Sequence, residues 1–194
     1  MSTATIFQIQ LVLGYVPWLL LFGLYALPWL KSLARVEAQR AIALLHSFRF
    51  FGLAFIVPGV VGPNLPPGFA TFSAYGDFAT GVLAMLALLT VRIRPLFWSF
   101  VVAFNLVGAV DLIVDYYHGN QLGLAALAGE LGAIYAIPVI YVPVLMITHF
   151  VAFYLLARPQ REAARFLARG TSTRPDATVT ATGAVQRSQD GNYA

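Results

Sequence analysis

The stretch that decides the fold class is Leu131–Ala157, L-G-A-I-Y-A-I-P-V-I-Y-V-P-V-L-M-I-T-H-F-V-A-F-Y-L-L-A, followed directly by Arg158. It contains no Asp, Glu, Lys or Arg, and one histidine, His149. A helix needs about 20 apolar residues, at about 1.5 Å of rise each, to cross a hydrocarbon core about 30 Å thick. This run is longer than that. Pro138 and Pro143 lie inside it and predict a kink, because proline removes a backbone donor and its ring crowds the preceding turn.

Four more runs of the same kind precede it, at about Phe7–Leu30, Ala41–Val61, Ser73–Val91 and Leu96–Tyr117. The third is the shortest in uninterrupted apolar length, Phe78–Val91, and it spans only if Tyr75 and Asp77 lie within the outer leaflet. Hydrophobic residues make up 59% of the 194, and charged residues only 10%, against about a quarter in soluble domains. The expected fold is therefore an all-α integral membrane bundle of about five transmembrane helices, occupying residues 1–160. The first run has no basic region before it and no small-residue cleavage pattern after it. Gln8–Trp29 is also long enough to span, so the reading is a retained helix and not a cleaved signal peptide.

The basic residues fix the expected orientation. Lys31, Arg35 and Arg40 lie between the first two runs, Arg92 and Arg94 between the third and fourth, and Arg158, Arg161, Arg165 and Arg169 after the fifth. Residues 1–6, the Pro/Gly-rich loop Gly62–Phe72 and the loop His118–Glu130 contain no Lys or Arg. The positive-inside rule then puts the N-terminus outside and the C-terminus in the cytoplasm. Because the net charge of +4 resides at the ends of apolar runs, the partner it implies is the lipid bilayer and not nucleic acid. Residues 161–169 read as a basic helical extension along the membrane surface, and residues 170–194, without apolar period, as a disordered cytoplasmic tail. The chain has no cysteine, which excludes disulfides, thiolate metal sites and a cysteine nucleophile.

Ionisable side chains within a span are costly and normally face the bundle interior with a partner. Counting rise from the arginines that mark the cytoplasmic face puts Arg49, Asn105 and His149 about 14–17 Å deep, with His46 about one turn nearer the cytoplasm. This is an inner polar layer. The same counting puts Asp77 and Asp111 about 22–26 Å in, on consecutive spans. Asp111, Asp115 and His118, spaced i, i+4, i+7, share one helix face. This is an outer, acidic layer. It reads as a cation or metal site, or as a carboxylate pair that exchanges protons, since crowded carboxylates at low dielectric resist being ionised together. His46 and His149 on facing helices are candidate axial haem ligands. Arg49 can also snorkel toward the cytoplasm, since helical side chains lean toward the N-terminus. A purely structural network fits the same residues: Arg49 pairing with Asp111 or capping carbonyls, and His149 bonding Asn105. Gly14, Gly52, Gly59, Gly81 and Gly108 read as points of close helix packing.

The sequences G-D at 76–77, N-L-V-G-A-V-D-L at 105–112 and I-P-V-I-Y-V-P-V-L-M-I-T-H at 137–149 resemble a group of small multi-pass bacterial membrane proteins without an assigned activity. The resemblance covers roughly the second to fifth spans. It implies a bacterial cytoplasmic membrane location and carries over no site. Walker, H-E-x-x-H and G-x-S-x-G signatures are absent. Three functional readings follow. The first is a membrane protein with a polar intramembrane cavity that binds or passes a small solute, ion or proton through Arg49, Asn105, Asp111, His149 and His46, as a homo-oligomer or within a larger membrane complex. The second is an intramembrane enzyme of isomerase or cyclase type acting on a lipophilic substrate, with Asp77 and Asp111 as acid and base and His149 or Asn105 orienting the substrate. The third is an assembly subunit without chemistry.

Overall fold

A computed structural model of the chain describes residues 1–158; the expected surface helix at 161–169 and the tail at 170–194 lie outside the described residues. The described residues form helices joined by turns, with no strand among them. We name its helices α1 (Thr3–Ser32), α2 (Arg35–Ser47), α3 (Pro67–Leu89), α4 (Arg94–Gln121) and α5 (Ile137–Ala157). Four of them, α1, α3, α4 and α5, are long and apolar enough to cross a membrane.

The run expected to be a single helix over Ala41–Val61 is built otherwise. α2 stops at Ser47, and the backbone tightens into a 3₁₀ segment, Phe48–Ile56, before extending at Val57. Such a 3₁₀ run is long, since these helices rarely exceed three or four residues. Its three-residue repeat aligns Arg49, Gly52 and Phe55 on one buried stripe. The stripe packs against α3, the neighbour it meets most extensively.

The fifth run is also corrected at its start. Residues Ala128–Ile134 form a separate 3₁₀ segment, interrupted at Gly132, whose φ of 51° is left-handed. A side chain there would be strained by that φ and would also run into the Val60 carbonyl. The helix proper begins at Ile137 with a π-helical turn, Ile137–Tyr141, which contains Pro138 and ends two residues before Pro143. The expected kink thus takes the form of a π turn, a known response where the regular ladder is interrupted. α1 has a π turn too, at Phe22–Ala26 just before Pro28.

α3 and α4 form the most extensive helix pair, with α2 and the 3₁₀ segment beside α3, and α5 against both α2 and α4. α1 is peripheral. It buries Phe7, Phe22 and Leu30 and is fastened to α5 at the π turn, where Trp18 Nε1 donates to the Ile140 carbonyl at 2.8 Å. Gly14 lets the two backbones close up, because a methyl group there would strike the Val139 carbonyl. That carbonyl lacks its usual helical donor, since residue 143 is proline. The two connections expected on the outer side are joined to each other. Gly62 N–H donates to the Glu130 carbonyl at 2.7 Å, and the Glu130 carboxylate accepts from Asn64 N and Nδ2 at 3.1 and 3.0 Å.

A buried guanidinium between two carboxylates

The two polar layers expected from depth counting converge on one side chain. Arg49 is fully buried. Its guanidinium is not turned back along its own segment, as snorkelling would have it. Nε donates to Asp77 Oδ1 at 2.6 Å, Nη2 to Asp111 Oδ2 at 2.5 Å, and Nη1 to the Gly108 carbonyl at 3.3 Å. The planar fork of arginine suits such a fan of directed contacts. Nη1 also lies 3.3 Å from His149 Nε2. Arginine only donates, so Nε2 accepts, and the proton on His149 is at Nδ1, which faces Asn105 Oδ1 at 3.0 Å. Asn105 Nδ2 in turn donates to the Val101 carbonyl at 2.8 Å. Both contacts of the structural reading, Arg49 with Asp111 and His149 with Asn105, are therefore present.

Glycines make room for this cluster. At Gly108 a Cβ would crowd Arg49 Nη1, His149 Nε2 and Thr80 Cγ2; at Gly52 it would meet the Asp77 side chain, and at Gly76 the Asp111 carboxylate. Gly81 lets α3 approach the backbone of the 3₁₀ segment at Phe50. Of the glycines read from the sequence as packing points, Gly14, Gly52, Gly81 and Gly108 have that role. Gly59 instead has open space around it and a φ of 81° in the turn after the 3₁₀ segment.

His46 lies beside the cluster. Its Nε2 is 2.9 Å from Thr148 Oγ1, and its ring stacks on His149 with centroids 4.1 Å apart and planes tilted by 36°. Axial haem ligands approach the iron from opposite faces of the macrocycle. Two rings in mutual contact leave no room for one between them, so His46 and His149 do not form a haem site in this arrangement. The candidate metal set is not brought together either. Asp111 binds Arg49, Asp115 accepts from Ser73 Oγ at 2.8 Å, and His118 lies edge-on to Phe72 at 5.3 Å. No group of three or more His, Asp or Glu side chains among the described residues is placed to hold a metal ion.

Three buried polar atoms have no partner among the described residues: Gln39 Oε1, His46 Nδ1 and Asp111 Oδ1. The Thr148 hydroxyl donates to carbonyls of its own helix, so it accepts from His46 Nε2, and His46 Nδ1 is then left as a bare lone pair. All three orphans are thus acceptors, and the interior is short of donors.

Asp77 also forms part of the wall of a cavity of about 190 Å³. The cavity lies between α1, the 3₁₀ segment, α3, α4 and the start of α5. Its polar lining is Asp77, Asp115 and Ser73, with Gln8, Tyr116 and Asn120; its apolar lining includes Phe7, Phe55, Phe69, Leu112 and Leu124. Arg49 and Asp111 do not line it. Sequence reasoning missed Ser73, Gln39, Thr148 and the cavity's amides. Two signals could have found some of them. Ser73 precedes Asp77 by one helical turn, and Gln39 precedes His46 by two, so each shares a face with a residue already singled out.

Residues 6–157 match the model of one protein family, described as a domain of unknown function (DUF8737). No curated protein and no solved structure matches the chain.

Proposed function

The chain belongs to the DUF8737 family, and from its buried cluster we propose that it is a multi-pass membrane protein that binds or passes a small solute, ion or proton through a polar intramembrane cavity. The observation that carries this reading is the fully buried Arg49 held between Asp77 and Asp111, with Asp77 opening onto the cavity. Burying three charged groups in an apolar bundle is expensive, and hydrophobic replacements of similar volume commonly pack as well or better. Helix fastening alone therefore gives little reason for them. The acid–base reading on Asp77 and Asp111 is less well supported, because only Asp77 reaches the cavity.

The proposal includes five crossings in a bacterial cytoplasmic membrane, N-terminus outside and C-terminus inside. α2 and the 3₁₀ segment supply the second crossing. From Ala41, just past Arg40, seven α-helical residues and nine 3₁₀ residues give a summed rise of about 28 Å, close to the roughly 30 Å core. The Lys/Arg-free and Lys/Arg-bearing connections then alternate across the membrane.

The chain lacks cysteine, so single cysteines report topology without background. Gly68→Cys and Gly129→Cys, where a side chain meets no neighbour, should react with a membrane-impermeant maleimide in intact cells. Lys31→Cys should react only after permeabilisation. If α2 and the 3₁₀ segment do not cross, Lys31→Cys and Gly68→Cys will label from the same side. For the activity, proteoliposomes should show solute-coupled or proton flux that Asp111→Asn and Arg49→Gln reduce. Unchanged flux in both variants, with the folded state retained, overturns the functional reading.

A further inference from the structure

The cavity beside the cluster has a chemical polarity that selects among solutes. At the end formed by Ser73, Asp77 and Asp115 the groups presented are acceptors, while the Gln8 and Asn120 amides are exposed. Ser73 spends its hydroxyl proton on Asp115 Oδ1, leaving only lone pairs toward a ligand. The Tyr116 hydroxyl is engaged with that of Tyr15 at 2.8 Å. Asp77 is only 6% exposed, lines the cavity, and gives Oδ1 to Arg49. Its Oδ2 receives no hydrogen bond from any of the described residues. A nearly buried carboxylate oxygen at a cavity wall, without a donor, is an energetic debt that a ligand donor removes.

Charge points the same way. Asp77 and Asp111 hold one guanidinium between them, and that guanidinium is outside the cavity while the carboxylates of Asp77 and Asp115 are on its wall. Phe7, Phe55, Phe69, Leu112 and Leu124 supply an apolar, aromatic wall, with Phe55 and Phe69 edge to face at 6.1 Å. Aromatic faces attract cations once water is excluded, and they offer no replacement for the hydration shell of an inorganic ion. In size, about 190 Å³ exceeds the roughly 150 Å³ that admits benzene in an engineered apolar cavity.

We propose that this cavity binds a compact organic cation, a protonated amine with a small hydrocarbon body, its ammonium group between Asp77 and Asp115 and its body against the phenylalanines. The inference rests on the solute-binding reading above and narrows it to one class of solute.

The test uses the purified full chain in detergent micelles at neutral pH, titrated calorimetrically with benzylammonium and with its uncharged analogue, benzyl alcohol. Benzylammonium should bind, and benzyl alcohol should bind about tenfold more weakly or worse, as expected for loss of a charge-assisted hydrogen bond. Asp115→Asn keeps an oxygen for Ser73 and should weaken benzylammonium by about tenfold while leaving benzyl alcohol unchanged. Ala125→Leu places extra bulk on the lining and should abolish both. If the alcohol binds as tightly as the ammonium, or Asp115→Asn affects neither, the organic-cation proposal is overturned and the cavity reading stands. If neither ligand binds the wild-type chain, the organic-cation proposal is overturned, and the solute-binding reading stands or falls on the proteoliposome flux of Asp111→Asn and Arg49→Gln.

Discussion

The bundle contains two apolar cores, and they are built by different rules. One gathers Leu30, Ala38, Ile42, Ala43, Ala84, Ala87, Phe97, Val101, Phe104, Val144 and Ala152, almost all from long helices. Its recurrent alanines let helices approach closely. The other gathers Phe7, Phe55, Leu65, Phe69, Leu124, Ala128, Leu131 and Ile137, many of them from 3₁₀ segments and connections. The cavity lies in this second core. Regular helices interdigitate without a gap, whereas 3₁₀ turns and a left-handed Gly132 set side chains at spacings that do not mesh. The Arg49 cluster sits on elements that bridge the two, so the charged groups are held by the regular core and open onto the irregular one.

Removing the bridge should give the largest effect. Arg49→Gln leaves Asp77 and Asp111 buried without their cation, and breaking one side of a buried ion pair costs about 3–5 kcal/mol. Thermal denaturation of the purified protein should show a large loss of stability. Asp77→Asn together with Asp111→Asn in the same background should recover much of it, because no uncompensated charge then remains. If the triple variant is no more stable than Arg49→Gln alone, the electrostatic account of the cluster is wrong.

Next come substitutions that ask how tightly each core is filled. Ala87 is fully buried in the regular core, and Ala87→Leu should destabilise by about 1–3 kcal/mol through overpacking. Ala125→Leu in the irregular core has space to enter and should cost less than 1 kcal/mol. Equal losses at the two sites would contradict the contrast between the cores. Gly108→Ala belongs with the tight set, since its methyl group would crowd Arg49, His149 and Thr80 together. It should cost about 1–3 kcal/mol, whereas Gly129→Ala, with open space around it, should be close to neutral.

Much of the regular core could be read directly in the sequence, and little of the irregular one. Apolar runs bounded by Lys31, Arg92, Arg94 and Arg158 mark α1, α3, α4 and α5, with ends up to six residues off at the starts of α3 and α5. Rarity of charge inside the five apolar runs is what identified Arg49, Asp77 and Asp111, and all three meet. Depth counting divided them into two layers because it places each residue at its Cα and takes no account of how far a side chain reaches. Arg49 lies on a 3₁₀ segment and extends a long side chain, so its charge is far from where its Cα rise would put it. The apolar stretch F-R-F-F-G-L-A-F-I reads equally well as helix of either pitch. Only packing against α3, through Gly52 and Gly81, selects the tighter one. The cavity was illegible for a similar reason: its lining comes from five separate elements whose register no local pattern records.

The smallest expected effect concerns the connection that closes the irregular core. Glu130 ties its own segment to the turn at Asn64 through two hydrogen bonds to the carboxylate and one to its backbone carbonyl. Glu130→Gln keeps the backbone bond and the side-chain length but removes the charge assistance, which makes such bonds roughly twice as strong as neutral ones. Both groups lie near the surface, where water competes, so global stability should fall by under about 1 kcal/mol. The local consequence should be easier to see. Amide exchange at Asn64 should quicken, and so should exchange along Ala128–Ile134, while the amides of α3 and α4 stay protected. Faster exchange throughout the helices would mean instead that the two cores unfold as one unit, and the distinction drawn between them would hold for packing but not for stability.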